Sequence, residues 1–151
     1  MSLKERVESD LKTAMRAKDK DKIRALRGIK SLILLAETQK GAQGELTSEA
    51  ELALLTKAAK QRKDSAQLYR EQGRDDLATI EETELATITE YLPAQLSEEE
   101  LNEFLANLIA QLGATGPADM GKVMGAANQQ LKGKADGATI ARTVKSLLSS
   151  L

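Results

Sequence analysis

The 151-residue chain contains no cysteine and no histidine. Their absence removes disulfides, thiolate chemistry, imidazole bases and the usual zinc ligands. We therefore expect no metal site and no cofactor. A catalytic nucleophile would have to be Ser, Thr or Lys, and no Ser/Lys arrangement rises above chance spacing, so we assign no catalytic residue.

Aromatic residues and long apolar runs are also scarce. The aromatic residues are Phe104, Tyr69 and Tyr91. No apolar run approaches the roughly 20 residues of a membrane span, and the first ten residues are charged rather than signal-like. We expect a cytoplasmic protein with no membrane partner.

Helix-forming residues dominate instead, and apolar residues recur at helical spacing in seven segments. Period-2 alternation, the pattern of a half-buried strand, is not found. Capping patterns open the first helix at Ser2 and the fifth at Ser97. The remaining boundaries are predicted at Ser48 and Asp136 as starts and at Gly41, Gly73 and Pro93 as stops.

These segments predict an all-α fold in two parts. Pro93 ends the fourth helix, and the helical pattern restarts at the SEEE stretch that begins at Ser97. We place an N-terminal four-helix domain at 1–93 and a small C-terminal three-helix tail domain at 94–151.

The stretch GPADMGKV at 116–123 matches most of the P-loop pattern G-x-x-x-x-G-K-[ST]. Val123 stands where a hydroxyl should hold magnesium, and Asp119 places a carboxylate among the phosphates. A P-loop also needs a β-strand before the glycines, and the preceding segment is predicted to be a helix. We therefore reject a nucleotide site.

Charge is distributed unevenly, although the net charge is only −1. Residues 1–30 and 57–74 are basic, and 75–104 contain ten acidic residues and no basic one. On the third helix, four basic residues fall within an arc of roughly 80°. The tail domain is basic too, and Lys122 near a helix start is placed to reach a phosphate. The candidate RNA-binding residues are Lys60, Lys63, Arg70, Arg74, Lys122, Lys132, Lys134, Arg142 and Lys145.

Arg62 does not share this stripe, because helical spacing places it among the apolar residues of its helix. On the fourth helix, Glu81 and Glu84 also fall on the apolar face. Arg62 lies eleven residues before Gly73 and Glu84 eleven after it. A hairpin turn at Gly73 therefore predicts an Arg62–Glu84 ion pair, with Glu81 as second partner, that holds the hairpin in register.

Six short motifs resemble the GatB/YqeY family: KQR at 60–62, GRDDL at 73–77, E-x-x-E-L at 81–85, YLP at 91–93, DMGKVMG at 119–125 and GKADG at 133–137. They cover nearly the whole chain in the order of the family pattern. The resemblance implies an all-helical fold with a small tail domain, similar to the end of the B subunit of the glutamine-dependent aminoacyl-tRNA amidotransferase. Members of this length are the stand-alone form, without the large catalytic portion.

By similarity such proteins are described as carbon–nitrogen ligases with glutamine as amido-N-donor, a description that goes beyond the residues of this chain. The resemblance favours a module that binds tRNA without catalysing alone. One alternative is an adaptor that docks on an aminoacyl-tRNA synthetase or amidotransferase. Another is that the basic stripes are solvated faces that balance the acidic segment. No DNA partner is expected.

Overall fold

The computed structural model describes residues 1–39 and 44–151. Within these ranges the chain forms seven α-helices and no β-strand, so the all-α prediction is confirmed for the described part of the chain. The helices are α1 (Leu3–Ala17), α2 (Lys20–Thr38), α3 (Ser48–Glu71), α4 (Asp75–Thr89), α5 (Glu98–Leu112), α6 (Met120–Gln130) and α7 (Gly137–Ser149). A short 3-10 helix, Pro117–Asp119, precedes α6.

Several helix starts follow the capping patterns of the sequence. Ser2 caps α1 and Ser97 caps α5, each in a complete capping box with the glutamate three positions later. The start of α3 differs by one residue, because the hydroxyl of Thr47 rather than Ser48 accepts from the backbone, at Ala50 N. Asp136 occupies the N-cap position of α7, but its side chain makes no backbone capping bond.

The helix ends follow from backbone chemistry. Gly73 adopts a positive φ of 72° after α3, and Arg74 N bonds back to Tyr69 O at 2.8 Å, which closes the turn. The fourth helix ends at Thr89, before Pro93, because proline disfavours helix at the residue before it and has no amide proton. The predicted stop of α2 at Gly41 lies outside the described residues.

Contacts divide the chain into two compact units, Met1–Leu92 and Pro93–Leu151. In the first unit α2 packs against α1 and α4, and α4 packs along α3. Its core is formed mainly by buried aliphatic residues: Leu3, Val7, Leu26, Ile29, Ile33, Leu55 and Ile88. The identification of these units with a four-helix domain at 1–93 and a three-helix domain at 94–151 stays a prediction.

The second unit packs α5, α6 and α7 around its own core of Leu101, Leu105, Leu108, Ile109, Val123, Ala127, Leu131, Ile140, Val144 and Leu148. The segment before α5 is fastened to the α6–α7 connection by two hydrogen bonds. Leu96 N donates to Lys134 O at 3.0 Å, and Gln95 Nε2 donates to Gly133 O at 2.6 Å. This connection therefore has a fixed backbone.

Candidate functional site

The four residues of the predicted basic stripe are exposed, but Arg74 does not lie on α3, because that helix ends at Glu71 and Arg74 occupies the N-cap position of α4. The two arginines are also already paired with carboxylates. Arg70 donates through Nε and Nη2 to the two oxygens of Glu82 at 2.7 and 2.8 Å. Arg74 pairs in the same two-pronged way with Asp76, at 3.1 Å for both bonds. These bonds hold the pKa values of Glu82 and Asp76 below their usual range. Both guanidiniums thus use their planar donor edge within the protein.

The two lysines of the stripe are in a different situation. Lys60 and Lys63 are exposed, and neither has a carboxylate within salt-bridge distance in the described part of the chain. Asp64 follows Lys63 directly and lies one helical turn after Lys60, so an exposed carboxylate interrupts the stripe. Two lysines, rather than four cations, remain open to a phosphate on this face.

Arg62 lies apart from the stripe and faces α4. Its Nη1 is 3.1 Å from Glu81 Oε2 and 3.4 Å from Glu84 Oε2. The glutamate side chains are 15% exposed and that of Arg62 is 37% exposed, so the cluster is half-buried. Glu81, which the sequence suggested as the second partner, is the closer one and the one that accepts the hydrogen bond.

The glycine-containing stretch at 116–123 forms a helix-to-helix turn. It includes the 3-10 helix and the first turn of α6, and α5 precedes it where a P-loop would have a strand. The Asp119 carboxylate accepts from Thr115 N at 2.8 Å, which lowers its pKa. Lys122 Nζ donates to Leu112 O at 2.9 Å. Lys122 thus satisfies a free carbonyl at the end of α5, and its phosphate contact stays a prediction.

The remaining tail-unit cations are Lys132, Lys134, Arg142 and Lys145, and all are exposed. Every ion pair in the described residues lies in the first unit, so none of these cations is paired. Arg142 donates to Thr139 Oγ1 at 3.3 Å and lines a polar groove with Glu98 and Glu99, whose carboxylates disfavour a phosphate there.

Lys132 and Lys134 flank Gly133, whose positive φ of 76° allows the chain to turn between them. The hydrogen bonds to Gly133 O and Lys134 O hold the backbone that carries both lysines. Lys145 is exposed on α7, to one side of the buried face formed by Ile140, Val144 and Leu148. These three lysines are exposed and have no ion-pair partner in the described residues.

Another cationic region was missed, although residues 1–30 carry a marked basic excess in the sequence. Lys18, Lys20 and Arg27 line an open groove beside the α1–α2 turn, together with Met15, Ile23 and Arg24. The excess was the signal that could have pointed to this region. Sequence spacing did not reveal the groove because it needs α1 and α2 side by side.

Within residues 1–39 and 44–151, no cluster of three or more His, Cys, Asp or Glu side chains could hold a metal ion. No helix in the same ranges is both long enough and apolar enough to cross a bilayer.

The described residues form an all-helical protein. Its candidate contacts for RNA phosphates are exposed lysines and arginines. The chain belongs to the family described as Yqey-like protein, whose model matches residues 4–148. The family prediction is therefore confirmed.

Curated relatives share the name "Altered inheritance of mitochondria protein 41, mitochondrial". The protein from Clavispora lusitaniae is 40% identical over 108 residues, which cover 70% of this chain and 61% of the relative. The protein from Pyrenophora tritici-repentis is 31% identical over 133 residues, 86% of this chain and 71% of the relative. The protein from Lachancea thermotolerans is 37% identical over 116 residues, which cover 74% of this chain and 60% of the relative. The match thus spans about three fifths of the Clavispora and Lachancea proteins.

These names correct the expectation of a cytoplasmic protein. The relatives are named as mitochondrial proteins, which contradicts that expectation. The physical reason for the error is that composition and apolar run length report on solubility and membrane insertion. Cellular location is decided by targeting segments that transport machinery recognises.

Proposed function

We propose that this chain is a non-catalytic module that binds tRNA through phosphate contacts made by the second unit. The observation that carries the proposal is that Lys132, Lys134 and Lys145 are exposed and have no ion-pair partner within Pro93–Leu151. Unpaired lysines lose no protein contact when they neutralise phosphates, and they release counterions from the nucleic acid.

The fixed connection between α6 and α7 supports this role. Two hydrogen bonds tie the backbone at Gly133 and Lys134 to the segment before α5, and Lys132 and Lys134 flank the glycine of this turn. A ligand that contacts them need not order this part of the chain, so less binding free energy is lost to ordering. Lys60 and Lys63 on α3 of the first unit are a separate candidate pair of phosphate contacts.

The mode of recognition follows from the few aromatic residues. Tyr91 is buried, while Tyr69 and Phe104 are half-buried, so no exposed aromatic platform is available for base stacking. Binding would therefore depend on phosphate contacts and RNA shape. The resemblance to the end of the amidotransferase B subunit favours tRNA as the RNA. Under this proposal, the carbon–nitrogen ligase chemistry belongs to the large catalytic portion of the amidotransferase. This chain carries out no chemical step.

The test is a titration of fluorescently labelled tRNA followed by anisotropy at several salt concentrations between about 50 and 200 mM. The wild type is compared with a tail variant that combines Lys132→Gln, Lys134→Gln and Lys145→Gln. A groove variant, Lys18→Gln with Lys20→Gln and Arg27→Gln, is the control, because it removes the same charge from another surface.

The tail variant should bind more weakly, and the slope of log K against log salt should fall by about 0.7–0.9 for each lost phosphate contact. The groove variant should keep the wild-type slope. Equal losses in the two variants would mean that net charge, not the tail surface, governs binding. Wild-type protein that shows no salt-dependent binding would contradict the proposal itself.

A further inference from the structure

The groove beside the α1–α2 turn combines apolar side chains with three cations that have no ion-pair partner among the described residues. Its volume is about 620 Å³ and it is open to solvent. Met15, at the end of α1, is 51% exposed there, and Ile23 of α2 lies beside it, half-buried. An exposed methionine is a flexible apolar contact that adapts to different side chains.

Three of the lining cations are available to a ligand. Lys18, Lys20 and Arg27 are exposed, and no carboxylate lies within salt-bridge distance of them in the described residues. Arg24, the fourth, is occupied by Glu84 at 3.2 Å and Asp21 at 3.2 Å.

The four lining cations outnumber the two acidic residues of the same turn, Asp19 and Asp21, neither of which pairs with Lys18, Lys20 or Arg27. The Asp19 carboxylate accepts from Lys22 N at 3.2 Å and so caps α2. Asp21 is the partner of Arg24. The groove therefore keeps a positive rim, which complements a ligand that carries several negative charges.

The apolar side chains decide the chemical class of that ligand. Nucleic acid would meet the positive rim with phosphates, but its polar backbone would leave the apolar side chains of Met15 and Ile23 without a matching contact. A peptide with aliphatic side chains on one face and carboxylates beside them matches both the apolar side chains and the rim. We propose that the groove binds an acidic amphipathic helix of a partner protein, at a surface separate from the tail lysines.

The first experiment uses a fluorescein-labelled synthetic helix with leucines at i, i+3, i+4 and i+7 and glutamates flanking them. A scrambled peptide of the same composition is the control, since it keeps the charge and loses the apolar face. The full-length protein should bind the amphipathic peptide saturably and the scrambled peptide at least about tenfold more weakly. Equal affinity for both peptides, or no saturable binding below about 1 mM, would overturn the proposal.

Variants then assign the site. The groove variant (Lys18→Gln, Lys20→Gln, Arg27→Gln) should weaken peptide binding by about tenfold, whereas the tail variant should leave it unchanged. Met15→Gln keeps the length of the side chain and removes its apolar character. It should weaken peptide binding about three- to tenfold, because half of the side chain is already in water and gains burial on binding. Leu68→Gln, at a leucine 53% exposed on α3, is the apolar control and should change nothing.

The same variants separate this proposal from RNA binding by the second unit. Loss of tRNA affinity in the tail variant alone, with loss of peptide affinity in the groove variant alone, would support both proposals independently. If the groove variant loses tRNA affinity while Met15→Gln leaves peptide binding intact, the groove is an RNA surface and the peptide proposal is wrong.

Discussion

Glu84 of α4 accepts a hydrogen bond from Arg24 of α2, with Nε 3.2 Å from Oε1. The other oxygen of the same carboxylate lies 3.4 Å from Arg62 of α3. One glutamate thus contacts guanidiniums from two helices, and Glu81 accepts the shorter bond from Arg62. The cluster joins α2, α3 and α4 in a single register.

Replacing Arg62 should therefore lower the stability of the first unit. Arg62→Ala leaves two half-buried carboxylates facing each other without this partner. Because the cluster is only half-buried, we expect the free energy of unfolding to fall by about 1–2 kcal/mol, between the values for surface and buried pairs. Urea denaturation followed by circular dichroism measures the change.

Lys63→Ala, at an exposed neighbour without a carboxylate partner in the described residues, is the matched control and should change the free energy of unfolding by less than about 0.5 kcal/mol. Arg62→Lys should recover only part of the loss, since one ammonium cannot reproduce the planar donor fork. Similar stability of Arg62→Ala and Lys63→Ala would contradict a structural role for the cluster.

Tyr91 should ionise only at unusually high pH. It is 8% exposed and donates its hydroxyl hydrogen bond to Asp10, while the Arg6 guanidinium lies 5.1 Å from the ring centre. Burial, followed by the bond to Asp10, raises the pKa of Tyr91 well above its usual range. The protonated form is favoured in the folded state. Its contribution to stability is present below the unfolded pKa of about 10 and is lost as pH rises through the folded pKa.

Absorbance near 295 nm reports tyrosinate, and the Tyr69→Phe variant leaves Tyr91 as the single tyrosine in the chain. Its titration midpoint should lie above about 10 and coincide with loss of helicity. A midpoint near 10 with the helices intact would show that the hydroxyl is not protected.

Lys18 should be replaceable by glycine with a gain in stability. It ends α1 with a φ of 55°, the left-handed conformation that side chains with a Cβ rarely adopt. Two backbone hydrogen bonds close the end of α1: Lys18 N donates to Met15 O at 3.2 Å, and Asp19 N donates to Ala14 O at 3.1 Å. Because neither bond uses the lysine side chain, glycine at position 18 keeps both. Lys18→Gly should raise the free energy of unfolding by about 0.5–1 kcal/mol.

This variant also addresses the groove, because Lys18 lines it. Higher stability together with weaker binding of the acidic peptide would separate the role of this side chain from any effect on folding. Lower stability would show that the lysine side chain makes a contact that outweighs the backbone conformation.

Lys122 should contribute to stability rather than to RNA affinity. Lys122→Met removes the bond to Leu112 O and should lower the stability of the second unit by about 0.5–1 kcal/mol. The salt dependence of tRNA binding should stay as in wild type. Lys145→Met is the control with the opposite expectation: unchanged stability and a smaller salt slope. If Lys122→Met lowers the slope of log K against log salt for tRNA binding, Lys122 contacts a phosphate, as the sequence predicted.

The sequence alone determined the helices and the absence of a P-loop. Helical spacing and caps such as Ser2 and Ser97 depend on residues three and four positions apart, so they can be identified along the chain. The turn at Gly73 could be predicted for the same reason, since only a local backbone conformation is involved. From that turn the contacts of Arg62 with both glutamates could be anticipated, although not which glutamate lies closer.

Only the tertiary structure decided which charges are available. Helical projection places Arg70 and Arg74 on one face with Lys60 and Lys63, but α3 ends at Glu71 and Arg74 lies beyond the Gly73 turn. Both arginines pair with carboxylates of α4, while no partner reaches the lysines in the described residues. Lys122 Nζ reaches Leu112 O at the end of α5, ten residues earlier, across the connection that contains the 3-10 helix. Pairing depends on side-chain reach and on which helices lie side by side, and helical periodicity specifies only the face of one helix.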